Sequence, residues 1–179
     1  MTVPAVSPRA RSDRLANTLG ALVTEISAQI QDGLAEHCGL GPSDAAAIVI
    51  LARRSRHIEE LSRILGLSHS ATVRLVDRLE DAQMVRRTPG EDRRSVTLKL
   101  SAAGRRRADE LLAERDRVVS EILETLRAPE REDLARIVER LLEELAVDWD
   151  AARHICRLCD LELCEAHGAC PTGIGAERH

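Results

Sequence analysis

The chain has 179 residues, enough to bury a full core, but no Phe, no Tyr and a single Trp, Trp149, so its interior has to be aliphatic. So few aromatics exclude the stacking platforms on which single-stranded DNA and RNA are bound. The net charge of −4 conceals a basic module, fourteen Lys/Arg against seven Asp/Glu over residues 53–107, in an acidic remainder of 12 against 23, the footprint of a protein that offers one face to DNA.

Residues 1–11, with Pro4, Pro8, Arg9 and Arg11, read as a disordered tail. Leu15, Leu19, Leu22, Val23, Ile26, Ile30 and Leu34 keep helical spacing, which predicts a long amphipathic helix ending near Gly39, a dimerisation helix over 12–40. Cys38 reads as a small buried hydrophobe rather than a redox thiol. Gly41-Pro42-Ser43 breaks the chain, and Ser43 is placed to cap a helix over Ala45–Ala52. The basic run Arg53-Arg54-Ser55-Arg56-His57 reads equally as an extra phosphate contact or a solvated loop.

From Ile58 to Leu100 the pattern becomes specific. Leu61, Ile64 and Leu65 give a short helix its apolar face, and Gly66 ends it where positive φ is favoured. Ser68 is an N-cap for a second helix with Thr72, Leu75, Val76 and Leu79 on its core side. This is a helix-turn-helix, with a DNA-binding domain drawn over 41–104. Ser68, His69, Ser70, Val73, Arg74 and Arg78 are the residues of the second helix expected at DNA. Met84–Thr88 and Ser95–Leu100 then read as two strands joined by Pro89-Gly90-Glu91-Asp92-Arg93-Arg94, a hairpin wing. Its candidates for phosphate or minor-groove contact are Arg86, Arg87, Asp92, Arg93 and Arg94.

Leu61 to Leu79, Glu91-Asp92-Arg93-Arg94-Ser95-Val96 and Leu100-Ser101-Ala102-Ala103-Gly104-Arg105 together resemble the winged helix of the MarR family of bacterial transcriptional regulators. Asp92-x-Arg94 is the most diagnostic element. The resemblance implies that Arg94 reaches DNA and that Asp92 holds the wing in shape. It extends more loosely from about Leu15 to Trp149, and it implies a small-molecule effector cleft between dimer body and winged helix.

After the wing, Ser101 caps a helix to about Arg127, and Pro129 opens another. Leu111, Leu112, Val118, Val119, Ile122, Leu123 and Leu126 stripe the first. Leu134, Ile137, Val138, Leu141, Leu142, Leu145 and Trp149 stripe the second. That is more apolar face than one winged helix covers, which predicts C-terminal dimerisation helices over 105–152 interleaved with those of a second copy.

Past Trp149, Cys156, Cys159, Cys164 and Cys170 stand as C-x2-C-x4-C-x5-C-Pro in an extension over 153–179. Four thiols so close in a reducing compartment suit a soft or borderline metal better than free thiols or disulfides. Zinc and an iron–sulfur cluster both remain open, with the cluster preferred because a regulator gains a signal from it. His154 and His167 are spare ligands. The extension is foreign to the usual MarR pattern and is expected at the end of the dimer body.

The expected fold is mainly α with a small β-hairpin wing, a winged helix-turn-helix plus long dimerisation helices. The expected function is a homodimeric regulator, a repressor, of a pseudo-palindromic double-stranded operator, switched by redox state or metal. Two alternatives stand beside it. One is an electron-transfer protein on the four-cysteine centre with an idle winged helix; the other is a regulator with structural zinc and a small-molecule effector. No residue set reads as a catalytic triad, a paired-carboxylate site or a phosphate-binding glycine loop, so no enzyme is expected. No apolar run approaches the ~20 residues of a membrane span, and a cytoplasmic protein is expected.

Overall fold

The computed structural model describes residues 8–90 and 96–178, with side chains from residue 12 onward. The described chain is mostly helical with one small three-stranded antiparallel sheet. Helix α1 spans Pro8–Cys38 and starts inside the segment expected to be a tail, because a proline loses nothing in a first helical turn. Helix α2, Pro42–Arg53, is apolar on every side, with Ala45 to Leu51 all buried, and forms the centre of the core. Ser43 does not cap it. Gly41 occupies the N-cap and Pro42 the first turn, where no amide needs a partner.

The helix-turn-helix follows as α3, Ile58–Leu65, and α4, His69–Asp81. Gly66 sits between them at φ 66°; its amide bonds Arg63 O, and that of Leu67 bonds Ser62 O, closing the end of α3. The Ser68 hydroxyl accepts from the Ala71 amide at 3.2 Å and starts α4. Thr72, Leu75, Val76 and Leu79 are buried, as their spacing predicts. Strands β2, Val85–Pro89, and β3, Val96–Leu100, pair from Val85↔Leu100 to Pro89↔Val96 and form the wing.

A further strand, β1 (Arg56–His57), pairs with the other edge of β3 through Arg56↔Leu98 and His57↔Thr97. It corrects the reading of residues 53–57 as a loop. Arg56 is buried and paired with Glu60, and Arg53 is bonded to backbone elsewhere in the chain, so neither is a free phosphate contact. Two residues are too few to show strand alternation.

Helices α5, Ala102–Glu124, and α6, Ala128–Leu145, complete the expected body. Ser101 ties the start of α5 to the end of α4: its hydroxyl donates to Gln83 O at 2.7 Å and accepts from the Gly104 amide at 3.0 Å. A Cβ on Gly104 would stand 2.2 Å from the Met84 carbonyl oxygen. Alanine favours a helix by ~1 kcal/mol over glycine, but a clash with fixed backbone outweighs that. Gly104→Ala is therefore expected to destabilise by roughly 1–3 kcal/mol, read as a lower denaturant midpoint at unchanged m-value. A rise in midpoint would show that this junction gives way easily.

The last stripe is not continuous to Trp149. It breaks at Leu145, and Asp148 accepts from the Ala151 amide at 2.7 Å to start a new helix, α7 (Trp149–Ile155). A 3-10 turn over Cys156–Leu158, α8 (Leu161–Ala166) and α9 (Pro171–Arg178) follow. This C-terminal lobe is not at the end of the expected dimer body. It folds back, α7 against α3, the 3-10 turn against α2, and α9 against α6. The α9–α6 approach is close enough that a Cβ on Gly175 would lie 2.1 Å from Glu143 O.

Candidate nucleic-acid interface and the cysteine lobe

Helix α4 presents His69, Ser70 and Arg74 to solvent, with Val73 half-buried between them. The Ser68 hydroxyl is already engaged as the cap, 3.3 Å from Ser70 Oγ. Arg74 has no ion-pair partner among the described residues, so its guanidinium is available to a base edge or a phosphate. Arg78 is tied down instead: its Nη2 donates to Asp44 Oδ1 at 2.8 Å and clamps α4 to α2. The same is true of Arg87, which donates from β2 to both Asp77 and Glu80 of α4. Arg87 therefore sets the angle between recognition helix and wing. Its neighbour Arg86 points to the opposite, exposed side of the strand. Asp92, Arg93 and Arg94 lie outside the described residues.

The four C-terminal cysteines converge beside α2. Cys156 is buried; Cys159, Cys164 and Cys170 are half-buried. Cys156 Sγ and Cys170 Sγ both reach the Thr172 hydroxyl, at 3.1 and 3.2 Å, so two thiols flank one buried oxygen. The Cys159 amide bonds Cys156 O at 3.0 Å, closing the turn that brings the first two cysteines together. A hydrogen bond from Cys159 pulls the Cys156 thiol down to about 6 against the effect of burial, helped by Thr172, Arg53 and Cys170. The same bond, with burial, pushes the Cys159 thiol up. Burial, then the neighbouring Cys170 and Cys156, pushes up Cys164. Among the described residues, however, no three His, Cys, Asp or Glu side chains meet as a single-ion site requires.

Sequence reasoning missed the groups that hold this lobe in place. Arg53 Nη2, from the end of α2, donates to Cys156 O at 2.5 Å and to Cys159 O at 2.6 Å. Arg115 of α5 donates to Leu158 O at 3.0 Å. His154 Nδ1 lies 2.8 Å from Ile64 O in α3; a carbonyl only accepts, so this nitrogen carries the proton and ligates nothing. His167 Nδ1 is likewise bonded, to Leu163 O at 2.8 Å. The available signal was the concentration of arginine at 53–56 immediately after a fully apolar helix. Cys38 lies apart, buried in the main core, and burial raises its thiol, as a small hydrophobe should behave.

Residues 39–95 match the MarR family model. That span takes in α2, the helix-turn-helix and the first half of the MarR wing. Solved structures extend the likeness to the whole body. YusO from Bacillus subtilis is 25% identical, with 76% of this chain and 97% of its own covered, at a TM-score of 0.67. A MarR family protein from Bacillus stearothermophilus is 25% identical, with 78% and 98% covered, at 0.68. MepR, a transcription regulator of the Staphylococcus aureus multidrug efflux pump MepA, is 13% identical with 73% and 97% covered, at 0.64, a likeness of fold alone. No curated protein matches the sequence. The chain thus has the MarR winged-helix fold, and about a quarter of it has no counterpart in neighbours that are themselves covered almost whole. No described helix is long and apolar enough to cross a membrane.

Proposed function

We propose that this chain is a homodimeric, sequence-specific regulator of transcription that binds a pseudo-palindromic operator. The observation that carries the reading is the α4 face. His69, Ser70 and Arg74 are exposed together at the N-terminal half of a capped helix whose opposite side is locked into the core, with a MarR-type wing beside it. That is the disposition of a helix that enters a major groove. A dimer seated on its operator blocks the DNA it covers, which makes repression the default outcome.

The second copy is called for by α6, none of whose residues is buried within its own chain. Ile137, Val138, Leu141 and Leu145 are exposed along it, as are Leu15, Leu19, Leu22 and Val23 along α1. Two such exposed apolar stripes are what a matching copy would cover.

The test is binding to duplex DNA by fluorescence anisotropy, with a panel of half-site variants at one salt concentration. Arg74→Ala is expected to relax preference at one base pair per half-site, at ~1–3 kcal/mol. A loss of the same size for every sequence would move Arg74 to the phosphate backbone. A folded dimer that binds no duplex above its non-specific level would defeat the reading.

A further inference from the structure

We propose that Cys156, Cys159, Cys164 and Cys170 hold an iron–sulfur cluster, seated in the C-terminal lobe between α2 and α9. The spacing C-x2-C-x4-C-x5-C-Pro supplies four thiols within fifteen residues, two of them in the 3-10 turn and α8 and two in the segments that flank the turn and α9. Cys156 opens the 3-10 turn, Cys159 closes it, Cys164 lies on α8, and Cys170 immediately precedes α9. Thr172 stands between the first and last of them.

A cluster asks less of the present spacing of these thiols than a lone zinc ion does. A zinc site needs its donors drawn to about 2.3 Å around one point. Among the described residues no three donors meet that way. A cluster fills its own centre with iron and sulfide and takes its thiolates further apart. A cavity of about 580 Å³ opens onto two of the four thiols, Cys156 and Cys170, and onto Thr172.

The surroundings also suit it electrostatically. A cluster on four thiolates carries net negative charge and is stabilised by hydrogen bonds to its sulfurs. Arg53 and Arg115 direct guanidinium groups into the turn that bears Cys156 and Cys159. Arg53 Nε is buried with no acceptor among the described residues. A buried N–H without a partner is unfavourable, and the same guanidinium already donates to the Cys156 and Cys159 carbonyls. The Nδ1 of His154 and that of His167 are both bonded to backbone carbonyls, so only their Nε2 atoms could add to the four thiols.

The experiment uses the full chain, purified without oxygen and then reconstituted with ferrous iron and sulfide. Stoichiometric iron and acid-labile sulfide, with visible charge-transfer absorption, is the expected result. Cys156→Ser and Cys164→Ser are expected to lose the absorption while circular dichroism shows the helices intact, and Cys38→Ser is expected to keep it. Colourless protein with one zinc per chain, protein with no metal, or a cluster retained by both serine variants would each overturn the proposal. Because metal and sulfide are assayed on the unaltered chain, a variant that fails to fold does not change what that assay decides. The assay uses no DNA, so its outcome is separate from that of the regulator reading.

Discussion

Leu141→Glu is expected to split the dimer and lower operator affinity about 10²–10⁴-fold, the range by which bivalent attachment exceeds a single contact. Leu141 lies in the last third of α6 and is 44% exposed in the single chain. The monomer fold therefore loses little when it changes. In the dimer the same position would be covered by the apolar stripe of a second copy, and a carboxylate there would be desolvated without a partner, at a cost of several kcal/mol. Light scattering reads the mass and anisotropy reads the affinity. A variant that stays dimeric and binds normally would place the interface elsewhere. A monomer that binds as tightly as the parent would mean that one recognition helix suffices, and the pseudo-palindromic operator would have to be abandoned.

The parts of the fold that the sequence made legible are those governed by local periodicity and end signals. Gly66 and Ser68 mark the helix-turn-helix turn because left-handed backbone and a side-chain cap are single-residue requirements. The stripes of α4, α5 and α6 follow from spacing alone. What stayed hidden depends on contacts between distant residues. The three-residue break at Ala146-Val147-Asp148 is invisible to a pattern that keeps its apolar period from Leu145 to Trp149. Once that break is missed, the lobe is placed at the tip of the body instead of against α2 and α3. Charge misled in the same way. Arg53, Arg56, Arg78 and Arg87 all add to the basic count over 53–107, yet each is committed to an acceptor inside the chain. Net charge locates the basic module but does not say which of its cations are available to a ligand.

Among the described arginines of that module, Arg53 carries the other large expected effect. Arg53→Met is expected to undock the C-terminal lobe and to weaken operator binding by at most ~30–100-fold. The change keeps the aliphatic stem and removes the donor shared by Cys156 O and Cys159 O. Hydrogen bonds to charged groups contribute about 1.5–3 kcal/mol each, while the partnerless Arg53 Nε gives back ~1–3 kcal/mol when it goes, so the net loss falls between roughly 0 and 5 kcal/mol, with its centre at about 2–3 kcal/mol. The ~30–100-fold ceiling is that of the central value. That loss bears on DNA because the lobe touches two bodies. His154 fastens it to Ile64 in α3, and Arg178 fastens α9 to Glu143 in α6 at 2.6 Å. In the proposed dimer, a lobe anchored at both places would fix the angle between α6 and the recognition unit. Half-sites on one face of DNA are about 34 Å apart, so freeing that angle spreads the two recognition helices over separations that miss the register. The docking energy sets the ceiling on the effect, since a contact rebalances two geometries by no more than its own free energy, and about 1.4 kcal/mol is tenfold. Limited proteolysis reads the docking directly: cleavage should appear first between residues 149 and 178 while the winged helix stays protected. If the lobe remains protected, the α9–α6 contact alone holds it. If it is cut freely and operator affinity does not move, the lobe is a passenger on the regulator and does not act on the recognition helix.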